Sequence, residues 1–295
     1  MNLVLFLNKD LEANISYNLL KPELLKHKVR IYYSDSVGNP KNKPSDLLAL
    51  EYFEKEFFFN ELPEFISKNK MESSFEFFDQ NFSSFPIEKC ANINSKEFIQ
   101  EMEDFNPDLF ISIRFGKIFK NEISQVPTKG LLNLHSAILP DYRGIMGTLH
   151  AIKQEKDTIG CTLHTIPNSG IDTGEIIEIA KLEINRSKSL FGHIVQLYPL
   201  GTDLIIKSLK KMERDGSLET QEQNLQQGNY FTVPTENDFD QIKHLGMEII
   251  SVKDYQDILT VFILKNLSKI QKHHLKEWMI SSFTDEMHSS RLLKV

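Results

Sequence analysis

Apolar positions along the chain switch between two periods, and the switching draws alternating strands and helices. Residues 3–7 are a short run of Leu, Val and Phe, the pattern of a strand buried on both faces. Asp10 then offers an N-cap for a helix reaching to about Leu24, and 29–33 reads as a second strand. Strand, helix and strand in about 33 residues predict a βαβ opening and therefore a parallel sheet. Further strands are expected at 108–113, 130–135, 161–166 and 175–179, the last two pairing across the loop between them. A helix is expected at 95–105, where Ser95 is the cap, Phe98, Ile99, Met102 and Phe105 recur at helical spacing, and Asn106-Pro107 ends it. A longer helix is expected over 187–212. The fold class is α/β: a Rossmann-like, mostly parallel sheet with flanking helices, followed by a smaller, partly helical C-terminal extension.

Two segments stand outside this rhythm. Ser34-Asp35-Ser36-Val37-Gly38-Asn39-Pro40 has loop chemistry, and ten phenylalanines follow at 53, 57, 58, 59, 65, 75, 77, 78, 82 and 85. Their spacing at 53, 57 and 58 predicts an amphipathic helix on the core; an aromatic platform for a substrate ring is the sharper alternative. Near the end of the chain Ile258, Val261, Phe262, Lys265, Leu267, Ile270, Leu275 and Trp278 recur at mainly helical spacing. The expected organisation is a catalytic unit over 1–225, with an insert at 34–85, and an extension over 226–295. Both the Phe-rich insert and the amphipathic tail need a partner surface, so a homodimer is an expectation.

Composition narrows the function classes. The 295 residues carry 34 Lys and Arg against 41 Asp and Glu, a net charge of −7, which argues against a dedicated nucleic-acid surface. The two cysteines, Cys90 and Cys161, lie far apart and form no metal-ligand spacing, and no resident metal is expected. No apolar run approaches the roughly 18–20 residues of a membrane span. The apolar start lacks a basic region and a cleavage site, so it reads as a strand, and a cytoplasmic protein is expected. Asn8-Lys9-Asp10-Leu11 has no glycine, so the turn after the first strand does not build a dinucleotide cradle.

Chemistry concentrates after residue 130. Along 131–135 side chains alternate, so Asn133 and His135 share a face roughly 6–7 Å apart. Two polar groups there are costly as mere core, and the carboxyl ends of such strands are where open α/β sheets bind ligands. Gly170-Ile171-Asp172-Thr173-Gly174 later sets one acid between glycines in a loop. Spacing alone yields an amide, an imidazole and a carboxylate that could converge. Singly, each has a bland reading: a strand histidine is often structural, and a loop aspartate often makes a turn. A zinc site from His135, His150 and His164 is conceivable, but no metal-ligand motif surrounds them.

Asn133-Leu134-His135-Ser136-Ala137-Ile138-Leu139-Pro140-Asp141-Tyr142-Arg143-Gly144, followed by Asp172-Thr173-Gly174, resembles the 10-formyltetrahydrofolate-dependent formyltransferases. Asp108 to Phe119 is similar to the strand and loop that receive the pterin in that family, and Gly160-Cys161-Thr162-Leu163-His164 to its Gly-x-Thr-x-His strand. The likeness covers about 90–215. It implies that Asn133 and His135 steady charge on the formyl oxygen and that Asp172 orients His135 and helps to move a proton. It also implies that Phe115, Gly116, Lys117, Ile118, Phe119, Arg143 and Gly170 contact the co-substrate, 10-formyltetrahydrofolate, with no metal. One departure stands out: the family commonly has Pro-Ser after the histidine, where this chain has Ser136-Ala137. The acceptor expected by elimination is a small primary amine, foremost a nucleotide-linked amino sugar. Methionyl-tRNA, a siderophore-precursor amine and a catalytically silent folate binder stay open as alternatives.

Overall fold

The computed structural model describes residues 1–35, 43–78 and 84–292, with side chains described to 284. Most of the loop expected at 34–40, and Phe82, lie outside the described residues. Among the described residues nine strands run in chain order: β1 (Asn2–Asn8), β2 (Lys28–Ser34), β3 (Ile87–Lys89), β4 (Leu109–Ile113), β5 (Leu131–His135), β6 (Tyr142–Gly144), β7 (Thr158–Thr165), β8 (Ile176–Glu183) and β9 (Asn229–Phe231). Seven form one sheet in the order β3-β2-β1-β4-β5-β7-β8, while β6 and β9 pair separately. β1 to β5 are parallel, and β7 and β8 join antiparallel, so the sheet is mostly parallel as the pattern predicts. The short β3, β6 and β9 carry too few residues to show a period and were not foreseen.

Local chemistry sets the helix ends. The Asp10 carboxylate accepts the Ala13 N–H at 2.9 Å and opens helix Leu11–Leu24. Ser95 caps Lys96–Phe105 in the same way, and Asn106 ends it in the left-handed region at φ 52°. Ser189 opens the long helix Leu190–Asp215, which packs on Leu11–Leu24 across one face of the sheet. None of the described helices is long and apolar enough to cross a membrane.

Strand order reverses between β1, which leads outward to β2, and β4, which leads the other way. Ligands in open α/β sheets bind at the carboxyl ends of strands flanking such a switch point. Here those ends carry Asn8 and Asp10 on one side and Arg114 and Phe115 on the other.

The Phe-rich insert folds as helix Ser45–Glu54, a wide π-helical turn at Phe57–Glu61 and helix Leu62–Lys68. The tail mirrors it, with helix Val252–Ile258, a second π-helical turn at Leu259–Ile263 and the long helix Lys269–Leu292. Their apolar faces meet. Trp278 stacks on Phe57 at 4.8 Å and on Phe65 at 4.1 Å, and Phe283 lies 4.0 Å from Phe53. Each such pair contributes about 0.5–1.5 kcal/mol beyond burial. The two faces that suggested a homodimer are therefore each other's partner within one chain. They also belong to one continuous core with β1, β4 and β5, so the sequence boundary at 225/226 is not a boundary in the core.

Phe57 is fully buried at the centre of this contact. Phe57→Ala is expected to cost about 3–5 kcal/mol. Because Trp278 is the only tryptophan, its fluorescence should report unfolding at the same denaturant concentration as far-ultraviolet circular dichroism. Separate transitions would show that insert and tail do not share the core.

Candidate active site

β5 brings Asn133 and His135 to one face, and the antiparallel pairing of β7 sets His164 directly opposite Asn133. The Asn133 side-chain amide lies 3.0 Å from His164 Nε2. His164 Nδ1 lies 2.8 Å from the Thr165 carbonyl, and its Nε2 meets the Asn133 amide on one side and the Asp172 carboxylate on the other. One Asn133 N–H is engaged in this way, and the second is available to an oxygen in the adjoining cavity. Thr162, two residues earlier on the same strand, receives the Leu139 N–H at 3.1 Å and donates to the Ala137 carbonyl at 2.7 Å. The Gly-x-Thr-x-His strand thus holds both the turn after β5 and the amide on it.

The loop between β7 and β8 returns Asp172 to this point. Asp172 sits at φ 52°, an uncommon backbone state that its neighbours fix from both sides. A Cβ on Gly174 would collide with the Thr165 carbonyl, so only glycine lets the loop fold this tightly. The Gln223 amide donates to the carbonyls of Asp172 and Gly174. The Asp172 carboxylate accepts the Gly144 N–H at 2.8 Å and lies 3.6 Å from His135 Nδ1 and 3.5 Å from His164 Nε2. His135 Nε2–H donates to the Tyr142 carbonyl at 2.7 Å, which turns Nδ1 toward the acid. Burial alone would raise the Asp172 carboxyl, but the two imidazoles and the Gly144 N–H outweigh it and hold the group well below the usual carboxylate range.

Beside these groups lies a cavity of about 450 Å³ at the switch point of the sheet. Asn133, His135 and Asp172 line it together. Phe115, Gly116, Lys117, Ile118, Phe119 and Gly170 line it too, and with Ile166 and Ile171 they make one wall mainly apolar. Ile118 and Ile171 are 56% and 41% exposed there, apolar surface without a cover. Arg143 is not among the described residues lining the cavity. Its guanidinium donates to the Leu225 carbonyl at 3.3 Å, so its placement gives no support to a co-substrate contact. His150 stacks on Phe231 at 3.9 Å, away from the pairing of His135 with His164, and burial pushes it down to about 4.

Sequence reasoning missed the opposite wall. Glu51, Glu54 and Lys55 of the insert, Arg114 after β4 and Tyr198 of the long helix all line the cavity. Ser136, the residue standing where the resemblance expects proline, lines the cavity as well. The only available signal was polar residues interrupting apolar helical faces, which does not say what they meet.

The set can steady a developing negative oxygen with an amide N–H, and it can pass a proton between imidazole and carboxylate. A family model described as formyl transferase matches residues 68–192. Over that segment the chain is similar to the formyl transferases. Among curated relatives, the methionyl-tRNA formyltransferase of Halothermothrix orenii is 32% identical over 123 residues, 42% of this chain and 39% of its own length. That of Kosmotoga olearia is 29% identical over 154 residues, 52% and 49% respectively. The chain thus spans less than half the length of the curated relatives it matches. Among solved structures, a sugar N-formyltransferase from a Shewanella species superposes with a TM-score of 0.53 at 16% identity, covering 94% of this chain and 87% of that one. A protein described as a likely sugar N-formyltransferase from Mycobacterium tuberculosis gives 0.52 at 17%, covering 82% and 78%. At these identities both show that the formyltransferase fold is shared.

A carboxyl held below its usual range stabilises the folded state above the unfolded-state pKa of about 3.9, and that contribution fades as pH falls through the folded-state value. Asp172→Asn should therefore be less stable than the parent chain at neutral pH, with the gap narrowing below about pH 4. Denaturant unfolding across pH measures this. A gap that widens in acid contradicts the assignment.

Proposed function

We propose that this chain transfers a formyl group from 10-formyltetrahydrofolate to the primary amine of a small acceptor, foremost a nucleotide-linked amino sugar, in the cytoplasm. The convergence of Asn133, His135 and Asp172 on one cavity wall, largely within the matched segment, carries the reading. The apolar wall formed by 115–119, Ile166 and Ile171 suits a flat bicyclic ring, and the cavity can hold the ring with its formyl group beside β5. That is the fit the co-substrate requires.

When the amine attacks, a carbon–nitrogen bond forms and an electron pair moves to the formyl oxygen. The free N–H of Asn133 stands on a rigid strand to receive that charge, with the His135–Asp172 pair beside it. Asp172 keeps the imidazole turned and, with it, takes up the proton that the amine sheds. Collapse restores the carbonyl, breaks the bond to the folate nitrogen and returns a proton to that nitrogen. The products are a formamide and tetrahydrofolate. Burial of Asp172 and His135 keeps these interactions strong by excluding water.

The acceptor rests on three supports. The fold extends over nearly the whole chain to proteins named as sugar N-formyltransferases. The turn after β1 lacks the glycine-rich phosphate loop of the purine-pathway relatives. Residues 241–295 carry eight Lys and Arg against six Asp and Glu, a net of +2, which is a poor surface for tRNA. Methionyl-tRNA is the second reading, favoured by the names of the sequence relatives.

Incubation with 10-formyltetrahydrofolate and a panel of nucleotide-linked amino sugars, hydroxylated ornithine and methionyl-tRNA, followed by product mass, should show one formyl unit gained by an amino sugar. Gain by methionyl-tRNA alone selects the second reading, and no gain by any amine rejects transfer. His135→Ala or Asn133→Ala should lower the rate about 100- to 1000-fold while leaving folate binding nearly unchanged.

A further inference from the structure

One buried acid takes no part in the chemistry above. Glu12, in the first turn of helix Leu11–Leu24, is fully buried, and neither of its carboxyl oxygens has a hydrogen-bond partner. A lone carboxylate in such a place is costly, because water no longer solvates the charge and nothing replaces it. Its neighbours add to the cost. Oxygens of Asp10, Glu12 and Glu54 lie within 4.8 Å of one another, with Asp10 fully buried and Glu54 only 7% exposed. Arg114 is the cation among them, and it is engaged elsewhere. Its Nε donates to Asp10 at 2.7 Å, one Nη to Glu54 at 2.9 Å and the other Nη to the Tyr198 hydroxyl at 3.1 Å. Glu12 is left 3.7 Å from that last nitrogen, beyond hydrogen-bond reach.

Every element packed here brings a titratable or charged group. Asp10 comes from the turn after β1, Glu12 from the first helix, Glu54 from the insert helix, Arg114 from the end of β4 and Tyr198 from Leu190–Asp215. Tyr255 of the tail helix Val252–Ile258 stands near both glutamates and donates to the Phe53 carbonyl at 2.8 Å. Lys55 follows Glu54 but turns its ammonium to the Asp35 carbonyl at 2.9 Å. Three carboxylates against one guanidinium leave two negative charges over, and a proton on one acid removes the worst of them. Asp10 has no room for another donor: Oδ1 accepts the Ala13 N–H, and Oδ2 accepts from Asn8 and Arg114. Glu54 accepts only from Arg114 among the described residues. Burial, only partly offset by Arg114, holds the Glu12 carboxyl well above the usual range and raises Glu54 as well.

We infer that Glu12 is a neutral carboxylic acid in the folded chain and shares its proton with Glu54, so that a buried acid pair latches the insert helix to the first helix at the end of the sheet. Glu54 lines the cavity, and Arg114 begins the stretch whose residues 115–119 line it, so the latch fixes two parts of the cavity edge relative to each other. With the proton in place the pair attracts. Without it, two like charges face each other out of reach of water and push the insert helix from the sheet end. The latch therefore opens as pH rises.

Denaturant unfolding of the full chain and of Glu12→Gln across pH tests this. Glutamine matches the protonated acid in size, keeps an N–H to donate and cannot ionise. An acid whose folded pKa lies above its unfolded value of about 4.3 contributes its stability in full below that value and loses it as pH rises toward the folded one. The unfolding constant of the parent, divided by that of Glu12→Gln, should therefore grow about tenfold per pH unit from about pH 5 until folded Glu12 ionises. In a Glu54→Gln background Arg114 is free to turn to Glu12, and the growth should stop at a lower pH. A ratio that is flat or falling from about pH 5 to about pH 8 overturns the inference. Growth that stops at the same pH in both backgrounds overturns it as well. Should Glu12→Gln not fold, the infrared spectrum of the parent chain at neutral pH decides: the carbonyl stretch of a protonated carboxylic acid is expected, and its absence is the overturning result. A rise in melting temperature with magnesium or calcium chloride that Glu12→Gln abolishes also overturns it, because the cluster then holds a cation in place of the proton.

Discussion

One buried carboxylate shared by two imidazoles fixes the geometry on which everything else depends. Asp172 can serve His135 and His164 at once only because β5 and β7 are antiparallel neighbours and because its loop is pinned from three directions. Gly144 donates from the strand after β5, Gly174 lets the loop press against Thr165, and Gln223 ties its carbonyls from far along the chain. A charge in this position is costly to bury, and the surrounding donors offset that cost. The same donors leave Asn133 and His135 little freedom to turn. Preorganisation of this kind is what a transient oxyanion needs, since donors that must reorient during reaction stabilise it less.

Stability and chemistry meet in the insert. Helix Ser45–Glu54 brings Glu51 and Glu54 to the cavity, yet its position is set from behind by Phe53 and by the aromatic stack that Phe57 and Phe65 make with Trp278. The tail is therefore part of what shapes the cavity although it contributes little to its surface. Segments added to a shared fold are where function can differ.

The regular elements were legible because their signals are local. Asp10, Ser95 and Ser189 begin helices through a single side-chain contact, and the strand runs from Leu3 and from Leu109 are short, apolar and buried on both faces. Asn133 and His135 were legible for the same reason, since period-two alternation places both on one face. The meeting of Asp172 with them depends on strand order, which spacing cannot give; the resemblance supplied it, and the 3.6 Å separation from His135 agrees with it. The resemblance set His164 on a strand facing the site, and the register of β7 against β5 adds that it lies opposite Asn133. The charged wall was out of reach. Glu54, Arg114 and Tyr198 come from three separate parts of the chain, and each alone reads as an ordinary helix or strand-end residue. Arg143 marks the opposite failure, a residue suggested by its place in a motif whose side chain turns toward Leu225.

A double-mutant cycle on formyl transfer tests most directly whether Asp172 and His135 act as one unit. The rates needed are those of the parent chain, Asp172→Asn, His135→Gln and the combination, with folate binding checked in each. If one carboxylate organises the site, the combined variant should be hardly slower than the worse single variant, because the first change already disables the unit. Losses that multiply would mean that the two side chains contribute independently, and the shared-carboxylate account would be wrong.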